Sequence, residues 1–450
     1  MVNIEELKNK ITGKIILPNN PEYEKERRIF NGMINKHPKA IIKCMTVSDV
    51  IQSVKFLKGE EVSIRGGGHN VAGTSLCDGY VIDLSFMKGI WVDKKKQIAR
   101  AQAGVVWREL DRETQMFGLA VPGGAISSTG IAGFTLGGGR GHISRMYGLA
   151  CDNVKSYQLI TAAGEFIEAN EDEDKDLFWA LKGGGGNFGI VTSFEYNLHK
   201  LGPIIYGGAI FFPENSLKDA IAEFYNIMID HPEDLSGLFV ITNAPPAPFI
   251  PSNWVGTLIG VSLLISTQPK EKAIELIKPL REVTNERLDH VDSVPYLAIQ
   301  TLVDPLEPAG LRHYWKSHYT GKLDENALFD LIELRRKPPS LMSQIHLEPW
   351  GGKMKKGNNA FSFKNAEFAI NIIGKWTDEK DDPRNIEWVR STWNALKKYS
   401  IGGGYVNYEG DVSQESFKYS YDKDTYLKLK EIKRKYDPEN FFHNNQNIIP

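Results

Sequence analysis

Four glycine-rich stretches in the first half of the chain constrain its fold more than any other feature of the sequence. They are Gly66 to Gly68, Gly123-Gly124, Gly137 to Gly141 and Gly183 to Gly186. Glycine allows backbone N–H groups to approach a ligand closely, and successive N–H groups form concave sites that bind anions. One such stretch is typical of a tight turn. Four in one α/β region predict a long, phosphate-bearing cofactor that lies along the backbone.

A Rossmann nicotinamide site is the first alternative to weigh, because "GGGRGHISR" loosely matches the pattern GxGxxG. That pattern should follow a strand and open a helix within a βαβ unit, with an acidic residue about 20 positions later. The preceding segment, "TGIAGFTL", is itself interrupted by glycines, and no clear βαβ unit surrounds it. The sequence therefore disfavours a Rossmann site.

The pattern of helices and strands changes near residue 200. Before it, we predict short helices over "PEYEKERRIFNGMI" and "TVSDVIQSVKFLKG", the second with Thr46 or Ser48 as N-cap, and a strand over "EVSIRGGG". After Pro203 longer helices and strands dominate, and a last helix covers "DTYLKLKEIKRKYDP". We predict a domain boundary near residue 200 and a return of the chain to the first domain near residue 403.

Composition narrows the class of protein. The chain has 450 residues, 41% of them hydrophobic, which is enough for two domains with sizeable cores. A net charge of -2 argues against non-specific nucleic-acid binding, and three cysteines without a CxxC arrangement disfavour a disulfide framework and a thiolate zinc site. Neither a secretory signal nor a run of about 18 apolar residues is present in the sequence. We expect a cytoplasmic protein that does not enter the membrane.

The loop "SIRGGGHNVAG" places His69 directly after three glycines and four residues after Arg65. On its residues alone, the loop leaves three roles open for the imidazole: an ordinary hydrogen-bonding group, a metal ligand, or a nucleophile that carries a covalent bond. Metal binding is disfavoured because no second His, Asp or Glu lies nearby at ligand spacing. Arg65 could balance an anion such as a pyrophosphate.

A set of motifs extends this loop. "RGGGH" is followed by "VPGGAISSTGIAGFTLGGGRGHISRMYGLACDNV", by "GGGGNFGIVTSFEY" and by the ending "GGGYVNYEGD…KLKEIKRKYDPENFFHNNQNIIP". Together they resemble the FAD-linked oxidases of the vanillyl-alcohol-oxidase superfamily, and most of all the berberine-bridge-enzyme-like branch with its bacterial 6-hydroxy-D-nicotine-oxidase-like members. The resemblance spans about residues 35 to 200 and 403 to 450. The middle of the chain matches in general pattern only.

The resemblance implies an α+β fold in two parts. Residues 1–202 would form a PCMH-type FAD-binding domain of two α/β subdomains. Residues 203–402 would form a substrate domain with a large antiparallel sheet flanked by helices, and residues 403–450 would return to complete the flavin site.

In this family the histidine of "RGGGH" carries the 8α-methyl of the flavin, so the resemblance implies FAD attached covalently to His69. Some relatives make a second tether from a cysteine, but Ile126 falls at that position and Cys151 lies elsewhere, so we predict one bond. His142 would either touch the flavin or cap a turn. The other positions expected to contact FAD are Arg65, Gly66, Gly67, Gly68, Asn70, Gly73, Gly123, Thr129, Gly130, Gly133, Gly138, Asn153, Val154, Gly189, Val191, Asn407 and Gln446.

The implied chemistry is hydride transfer from a C–H next to a hydroxyl or amine of a small molecule to flavin N5, with reoxidation by O2 to H2O2. A base must remove the O–H or N–H proton, and the candidates are Tyr405, Tyr408 and Glu348. A tyrosine base needs a lowered pKa, which Lys364, on a predicted strand, could supply.

Three functions stay open at this stage. The first is an oxidase of a sugar, alcohol or alkaloid-like compound; the second is a dehydrogenase with another electron acceptor; the third is a low-turnover flavoprotein with a structural or coat role. The segment "LRHYWKSHYTG" either lies beside the pocket or begins a solvated helix. We expect a monomer or homodimer, whose partners are the small-molecule substrate and O2.

Overall fold

The computed structural model describes residues 4–411, 413 and 418–450 of the chain. Its first layer is a mixed sheet with the order β1-β2-β4-β3, in which β2, β4 and β3 run parallel. The residues of β2 and β4 are all buried, as expected for parallel strands covered on both faces. The elements of this layer are β1 (Lys14–Ile16), β2 (Ala40–Lys43), β3 (Val62–Arg65), β4 (Tyr80–Asp83), α1 (Ile4–Lys8), α2 (Tyr23–Glu26) and α3 (Val47–Phe56).

Helix α3 begins with a capping box. The Thr46 side chain accepts a hydrogen bond from the Asp49 backbone N–H at 3.1 Å, and the Asp49 carboxylate accepts one from the Thr46 N–H at 3.3 Å. Two N–H groups that the helix itself cannot satisfy are therefore paired. The predicted helix is confirmed, with Thr46 rather than Ser48 as its N-cap.

The helix predicted over residues 21–34 is wrong beyond its first turn, because only Tyr23–Glu26 is helical. Phe30 N–H donates to the carbonyl of Gly68 at 3.0 Å, and the Asn31 amide donates to the carbonyls of Val71 and His313. These tertiary hydrogen bonds hold the segment against the first glycine loop and outweigh its local helix propensity.

The second layer is an antiparallel sheet with the order β5-β6-β10-β8-β9. The hairpin predicted around Gly164 is confirmed, since β8 pairs with β9 and Gly164 has a φ of +75° in the turn. The elements of this layer are β5 (Ile90–Asp93), β6 (Ile98–Gln102), β7 (Leu119–Ala120), β8 (Val154–Ile160), β9 (Phe166–Asn170), β10 (Ile190–Asn197), β11 (His199–Lys200), α4 (Trp107–Gln115), α5 (Ile131–Leu136), α6 (Ser144–Tyr147) and α7 (Lys175–Leu181), with β7 paired to β11.

The third layer is a large antiparallel sheet with the order β15-β12-β14-β13-β18-β19-β17-β20, to which β16 adds by pairing with β12. Its strands are β12 (Ile204–Pro213), β13 (Leu235–Asn243), β14 (Leu258–Ser266), β15 (Leu288–Asp289), β16 (Asp292–Pro295), β17 (Arg312–Thr320), β18 (Gln344–Pro349), β19 (Phe368–Trp376) and β20 (Ser400–Gly402). Its helices are α8 (Leu217–Asp230), α9 (Lys270–Glu282), α10 (Tyr296–Gln300), α11 (Glu325–Arg335) and α12 (Asp382–Leu396).

Alternation along these strands gives the third sheet two different faces. Residues such as Phe239, Leu264 and Ile370 form one core with α8, α9, α11 and α12. Their strand neighbours, among them Leu238 and Leu263, point to the opposite face. That second face is turned toward the glycine-rich loops and forms one wall of the site described below.

Two sequence interpretations in this region need correction. The segment "LRHYWKSHYTG" is the buried strand β17, paired with β19 and β20, and does not begin a solvated helix. Lys364 lies in a turn rather than on a strand, and its ammonium donates to the carbonyl of Gly357. Lys364 is thus committed to that carbonyl, and no contact between described residues connects it to Tyr405 or Tyr408.

The end of the chain returns to the first two layers. The predicted last helix is confirmed as α13 (Lys423–Tyr436), which ends before Asp437-Pro438 and packs against α7. Before it, a short 3₁₀ turn over Val406–Tyr408 follows Tyr405 and lies beside the third glycine-rich stretch.

Three further features belong to the part of the chain that the structure describes. None of its helices is both long and apolar enough to cross a membrane. It contains no group of three or more His, Cys, Asp or Glu side chains arranged to hold a metal ion. Cys44, Cys77 and Cys151 are free thiols, and all three are buried.

Candidate cofactor and substrate site

A cavity of about 680 Å³ lies between the glycine-rich loops and the second face of the third sheet. The loops form one wall, and strands β12, β13, β14, β18 and β19 form the facing wall. The C-terminal segment adds Phe442, Asn444, Asn445 and Gln446 to the lining. The volume of the cavity is in the range of sites that enclose a cofactor or a drug-sized ligand. Since most of the predicted site residues border it, it is the candidate functional site.

The glycine wall depends on contacts that no side chain would allow. A Cβ placed on Gly67 would overlap the backbone of Gly130, and one placed on Gly130 would overlap Gly67. A Cβ on Gly137 would likewise overlap the Asn407 side chain. The loops therefore pack backbone against backbone, and the glycines that border the cavity add no side chain to it, which suits a phosphate-bearing cofactor.

His69 lies in this wall with its imidazole held on one face. Its ring stacks on Phe30 with centroids 3.8 Å apart, and Phe30 stacks in turn on His313 at 4.7 Å. The Nε2 atom of His69 is buried and has no hydrogen-bond partner among the described residues, although the side chain borders the cavity. Burial lowers the pKa of His69 to about 4, so the imidazole is neutral near pH 7 and can act as a nucleophile.

These observations test whether the residues present suit FAD. A glycine wall suits a pyrophosphate, and a neutral imidazole whose Nε2 has no hydrogen-bond partner among the described residues suits a covalent bond to the flavin. The cavity continues past both toward the third sheet, where a substrate would meet the ring. The residues fit the cofactor.

The structure brings twelve of the predicted cofactor residues to the cavity wall. They are Gly66, Gly67, Gly68, His69, Asn70, Thr129, Gly130, Gly133, Gly189, Val191, Asn407 and Gln446. The remaining predicted positions lie outside its lining: Arg65, Gly73, Gly123, Gly138, His142, Asn153 and Val154.

Two of the outlying side chains have other partners. The Arg65 guanidinium forms a buried ion pair with Asp83 at 2.6 Å and donates to the carbonyl of Glu26, so its charge is neutralised within the first sheet. The Asn153 amide donates to the carbonyls of Tyr147 and Leu149, which fastens the turn after α6. Both side chains stabilise segments next to the cavity without bordering it themselves.

His142 is buried behind the wall, two residues from Arg140. Burial, together with the neighbouring Arg140 guanidinium, lowers the pKa of His142 to about 4, so its ring is neutral near pH 7. Cys151 is also buried away from the cavity lining, and burial raises the pKa of its thiol well above the usual range. A thiol of this kind is unreactive.

Tyr405 is held by three donors. Its phenol oxygen accepts hydrogen bonds from the backbone N–H groups of Gly139 (2.8 Å) and Arg140 (3.0 Å) and from the Asn407 amide (2.9 Å). Burial nevertheless raises its pKa above the usual value. Tyr405 therefore fastens the C-terminal segment to the glycine wall as a neutral phenol.

Glu348 and Tyr408 form a separate buried pair at the cavity. The Tyr408 hydroxyl donates to Glu348 Oε2 at 3.0 Å, and Arg140 Nη1 lies 3.1 Å from the same oxygen. Although burial raises the pKa of the Glu348 carboxyl, Arg140 and the neighbouring His346 and Tyr408 bring it below the usual value. Burial and the Glu348 charge raise the pKa of Tyr408, so Glu348 holds the negative charge of this group.

The comparisons with known proteins agree with this geometry. Residues 38–170 match the model of the family described as FAD binding domain, and residues 404–449 match the one described as Berberine and berberine like. The FAD-linked oxidoreductase pgmH of Aspergillus terreus is 31% identical over 350 residues, which are 74% of this chain and 68% of that protein. The chain belongs to the FAD-linked oxidoreductases.

Two further proteins are similar to the oxidoreductase over almost its whole length. The (R)-6-hydroxynicotine oxidase of Paenarthrobacter nicotinovorans is 28% identical over 462 residues, covering 98% of this chain and 97% of that one. The crystal structure of 6-hydroxy-D-nicotine oxidase from Arthrobacter nicotinovorans superposes with a TM-score of 0.88 at 25% identity, covering 98% of each chain. The predicted family and its PCMH-type FAD-binding fold are confirmed.

Sequence reasoning missed several side chains of the oxidoreductase's cavity. Arg140 stands inside the quoted "GGGRGH" motif, and its buried side chain pairs with Glu348 and donates to the carbonyl of Gly237. His346 was detectable, because it lies two residues before Glu348 and therefore on the same face of the strand. Trp315 lies in "LRHYWKSHYTG", for which a place beside the pocket was one of the two alternatives, and it does border the cavity. Asn371 carried no local signal, since only the pairing of distant strands brings it there.

Proposed function

We propose that the oxidoreductase is an oxidase whose FAD is attached covalently to His69 alone and whose substrate is a small molecule with a hydroxyl or amine beside the reacting C–H bond. The observation that carries the proposal is the buried Arg140–Glu348–Tyr408 group, which borders the same cavity as the glycine wall. Bound FAD would supply the two-electron acceptor of the reaction and its reoxidation by O2.

Glu348 is the proton acceptor in this proposal. Its carboxylate is ionised at neutral pH, whereas the pKa values of Tyr405 and Tyr408 are raised and both phenols stay protonated. An O–H or N–H group placed at Glu348 Oε can pass its proton to the carboxylate. Tyr408 orients that carboxylate by its hydrogen bond, and Arg140 maintains the charge before the proton arrives.

Relatives support the oxidase assignment through their names. One is named a 6-hydroxynicotine oxidase, and a chitooligosaccharide oxidase shares the fold. The grass pollen protein Phl p 4, with the same fold, is described as having glucose dehydrogenase activity, so a dehydrogenase that uses another acceptor is the second candidate. Release of one H2O2 per substrate oxidised would distinguish the oxidase from the dehydrogenase.

The tether is tested by acid precipitation of the purified protein. We expect a yellow pellet and a tryptic peptide containing His69 that carries the mass of FAD. His69→Ala should abolish the adduct, while the matched control Cys151→Ala should retain it. A colourless pellet from a yellow protein would refute the covalent bond. A protein whose flavin no substrate panel reduces would instead support a structural role.

A further inference from the structure

The wall that the third sheet contributes to the cavity is apolar on one side and polar on the other. The strand register places Phe211 of β12, Val261 of β14, Val240 of β13, His346 of β18 and Asn371 of β19 in one row across five strands. All five side chains border the cavity. The row is apolar over three strands and polar over the next two, so the cavity has an apolar half and a polar half.

A second row deepens the apolar half. Ala209, Leu263 and Leu238 are paired across the same three strands and also border the cavity. The side chains of these two rows on β12, β14 and β13 carry no hydrogen-bonding group, and the Thr242 hydroxyl is the single polar side-chain group that these three strands add to the lining. A sugar placed against them would lose hydrogen bonds to water without replacing them, which costs free energy. The apolar half therefore disfavours a substrate covered with hydroxyls.

The polar half offers an unsatisfied acceptor. Asn371 is 1% exposed, and its Oδ1 atom has no hydrogen-bond partner among the described residues. Buried polar atoms in folded proteins are almost always paired, so a ligand group that donates a hydrogen bond would satisfy this one. Asn371 lies directly opposite His346 in the register, and Glu348 follows on the same face of β18.

The opening of the cavity is also apolar. Phe249, Leu302 and Leu306 border it and are 50%, 42% and 48% exposed. The Phe249 ring lies 5.5 Å from that of Phe211, which links the opening to the apolar row. Exposed apolar side chains gathered at a cavity mark a route for an apolar ligand.

The row also sets a length for the ligand. Neighbouring strands lie about 4.8 Å apart, so the three spacings from His346 to Phe211 span about 14 Å. An apolar body that fills this distance contains more than one ring.

We propose that the substrate is a predominantly apolar molecule of more than one ring, whose rings lie along Val240, Val261 and Phe211. Its hydroxyl or amine lies between Asn371 and Glu348: it donates a hydrogen bond to Asn371 Oδ1 when the molecule binds, and turns to pass its proton to the Glu348 carboxylate in the reaction. The proposal rests on the proposed function for the reaction that this molecule undergoes. Of the substrate classes left open by the sequence, this proposal excludes sugars and favours apolar, multi-ring alcohols or amines.

The test compares two series of probes on the holoenzyme under anaerobic conditions. Benzyl alcohol, naphthalenemethanol and biphenylmethanol form the first series, and glucose and cellobiose form the second. Calorimetry measures binding, and absorbance measures flavin reduction separately. We expect Kd to fall about tenfold with each added ring, and the sugars to bind about 100-fold more weakly than biphenylmethanol.

Variants locate the two ends of the ligand. Phe211→Ala should weaken biphenylmethanol about tenfold and leave benzyl alcohol unchanged, because only the longer probe reaches β12. Val261→Thr, which keeps the side-chain shape and adds a hydroxyl, provides the same test if Phe211→Ala folds poorly. Asn371→Leu should weaken every alcohol. Phe329→Ala, a half-exposed position on α11 outside the cavity lining, is the control and should change none.

Two outcomes would overturn the substrate class. One is sugars that bind as tightly as biphenylmethanol; the other is an unchanged Kd for biphenylmethanol in both Phe211→Ala and Val261→Thr. Failure of the proposed function is a separate result, seen as probes that bind by calorimetry but never reduce the flavin, or as flavin that is not attached to His69.

Discussion

We expect Asp437→Asn to destabilise the C-terminal segment that closes the cofactor cavity. The Asp437 carboxylate accepts hydrogen bonds from Lys433 Nζ at 2.7 Å and from the backbone N–H groups of Phe441 and Phe442, each at 2.8 Å. Both side chains of the ion pair are 0% exposed. Phe442 borders the cavity, so the buried pair fixes one of its walls.

The magnitude follows from the burial of the pair. Removing one partner of a buried ion pair leaves an uncompensated charge and costs about 3–5 kcal/mol. Lys433→Met should cost a similar amount, because the carboxylate then stays buried without its cation. The double variant leaves no unpaired charge, so its loss should be several kcal/mol smaller than the sum of the two single losses.

The pH dependence of Asp437→Asn gives a second check. Burial already lowers the pKa of Lys433, and loss of the carboxylate would lower it further. Between that lowered pKa and about 10.4, the unfolded chain binds a proton that the folded chain does not, so stability rises with pH. The variant should therefore recover part of its lost stability between about pH 7 and pH 10.

The free energies of unfolding are measured by urea denaturation at these two pH values, with tryptophan fluorescence as the signal. Absorbance measures the flavin content. A loss below about 1 kcal/mol for Asp437→Asn would refute the reasoning. So would a double variant whose loss equals the sum of the single losses, since the two charges would then be independent.

Three further predictions concern the cavity and its surroundings. Gly67→Ala should lose FAD and about 1–3 kcal/mol of stability, because the added methyl overlaps the Gly130 backbone. Burial raises the pKa of Asp111 to about 7, so between about pH 4 and pH 7 the folded protein holds a proton that the unfolded chain has lost. The free energy of unfolding should therefore fall by up to about 4 kcal/mol as the pH rises through this range. Asp111→Asn should flatten this dependence of stability on pH, as measured by thermal melts. The rate of flavin reduction should be independent of pH above about 5, where Glu348 is ionised, and Glu348→Gln should lower it at least about 100-fold.

Each of these predictions has its own control or contrary result. Gly321→Ala, where the added methyl makes only an ordinary contact, should retain FAD, and a Gly67→Ala protein with full FAD content would contradict the overlap. If the stability of Asp111→Asn still falls between about pH 4 and pH 7, other titrating groups cause the fall. A reduction rate that rises steadily toward pH 10 would indicate a tyrosine base in place of Glu348.

Local patterns in the sequence predicted those features whose cause is itself local. The capping box at Thr46, the hairpin around Gly164 and the last helix up to Tyr436 each depend on residues a few positions apart, and all three are confirmed. The glycine-rich stretches likewise predicted a backbone surface for a cofactor, and the motifs together identified the family. In these cases neighbouring residues carry the physical reason.

Features that depend on contacts between distant segments became visible only in the tertiary structure. The segment after Glu26 is not helical, because the Asn31 amide donates to the carbonyls of Val71 and His313, which are 40 and 282 positions away along the chain. The proposal of Glu348 rather than Tyr405 or Tyr408 as the base rests on its ion pair with Arg140, which only the folded chain brings beside it. The row from Phe211 to Asn371 exists only through strand pairing, since hydrogen bonds between backbones, and not the order of residues, determine which side chains share a face of the sheet.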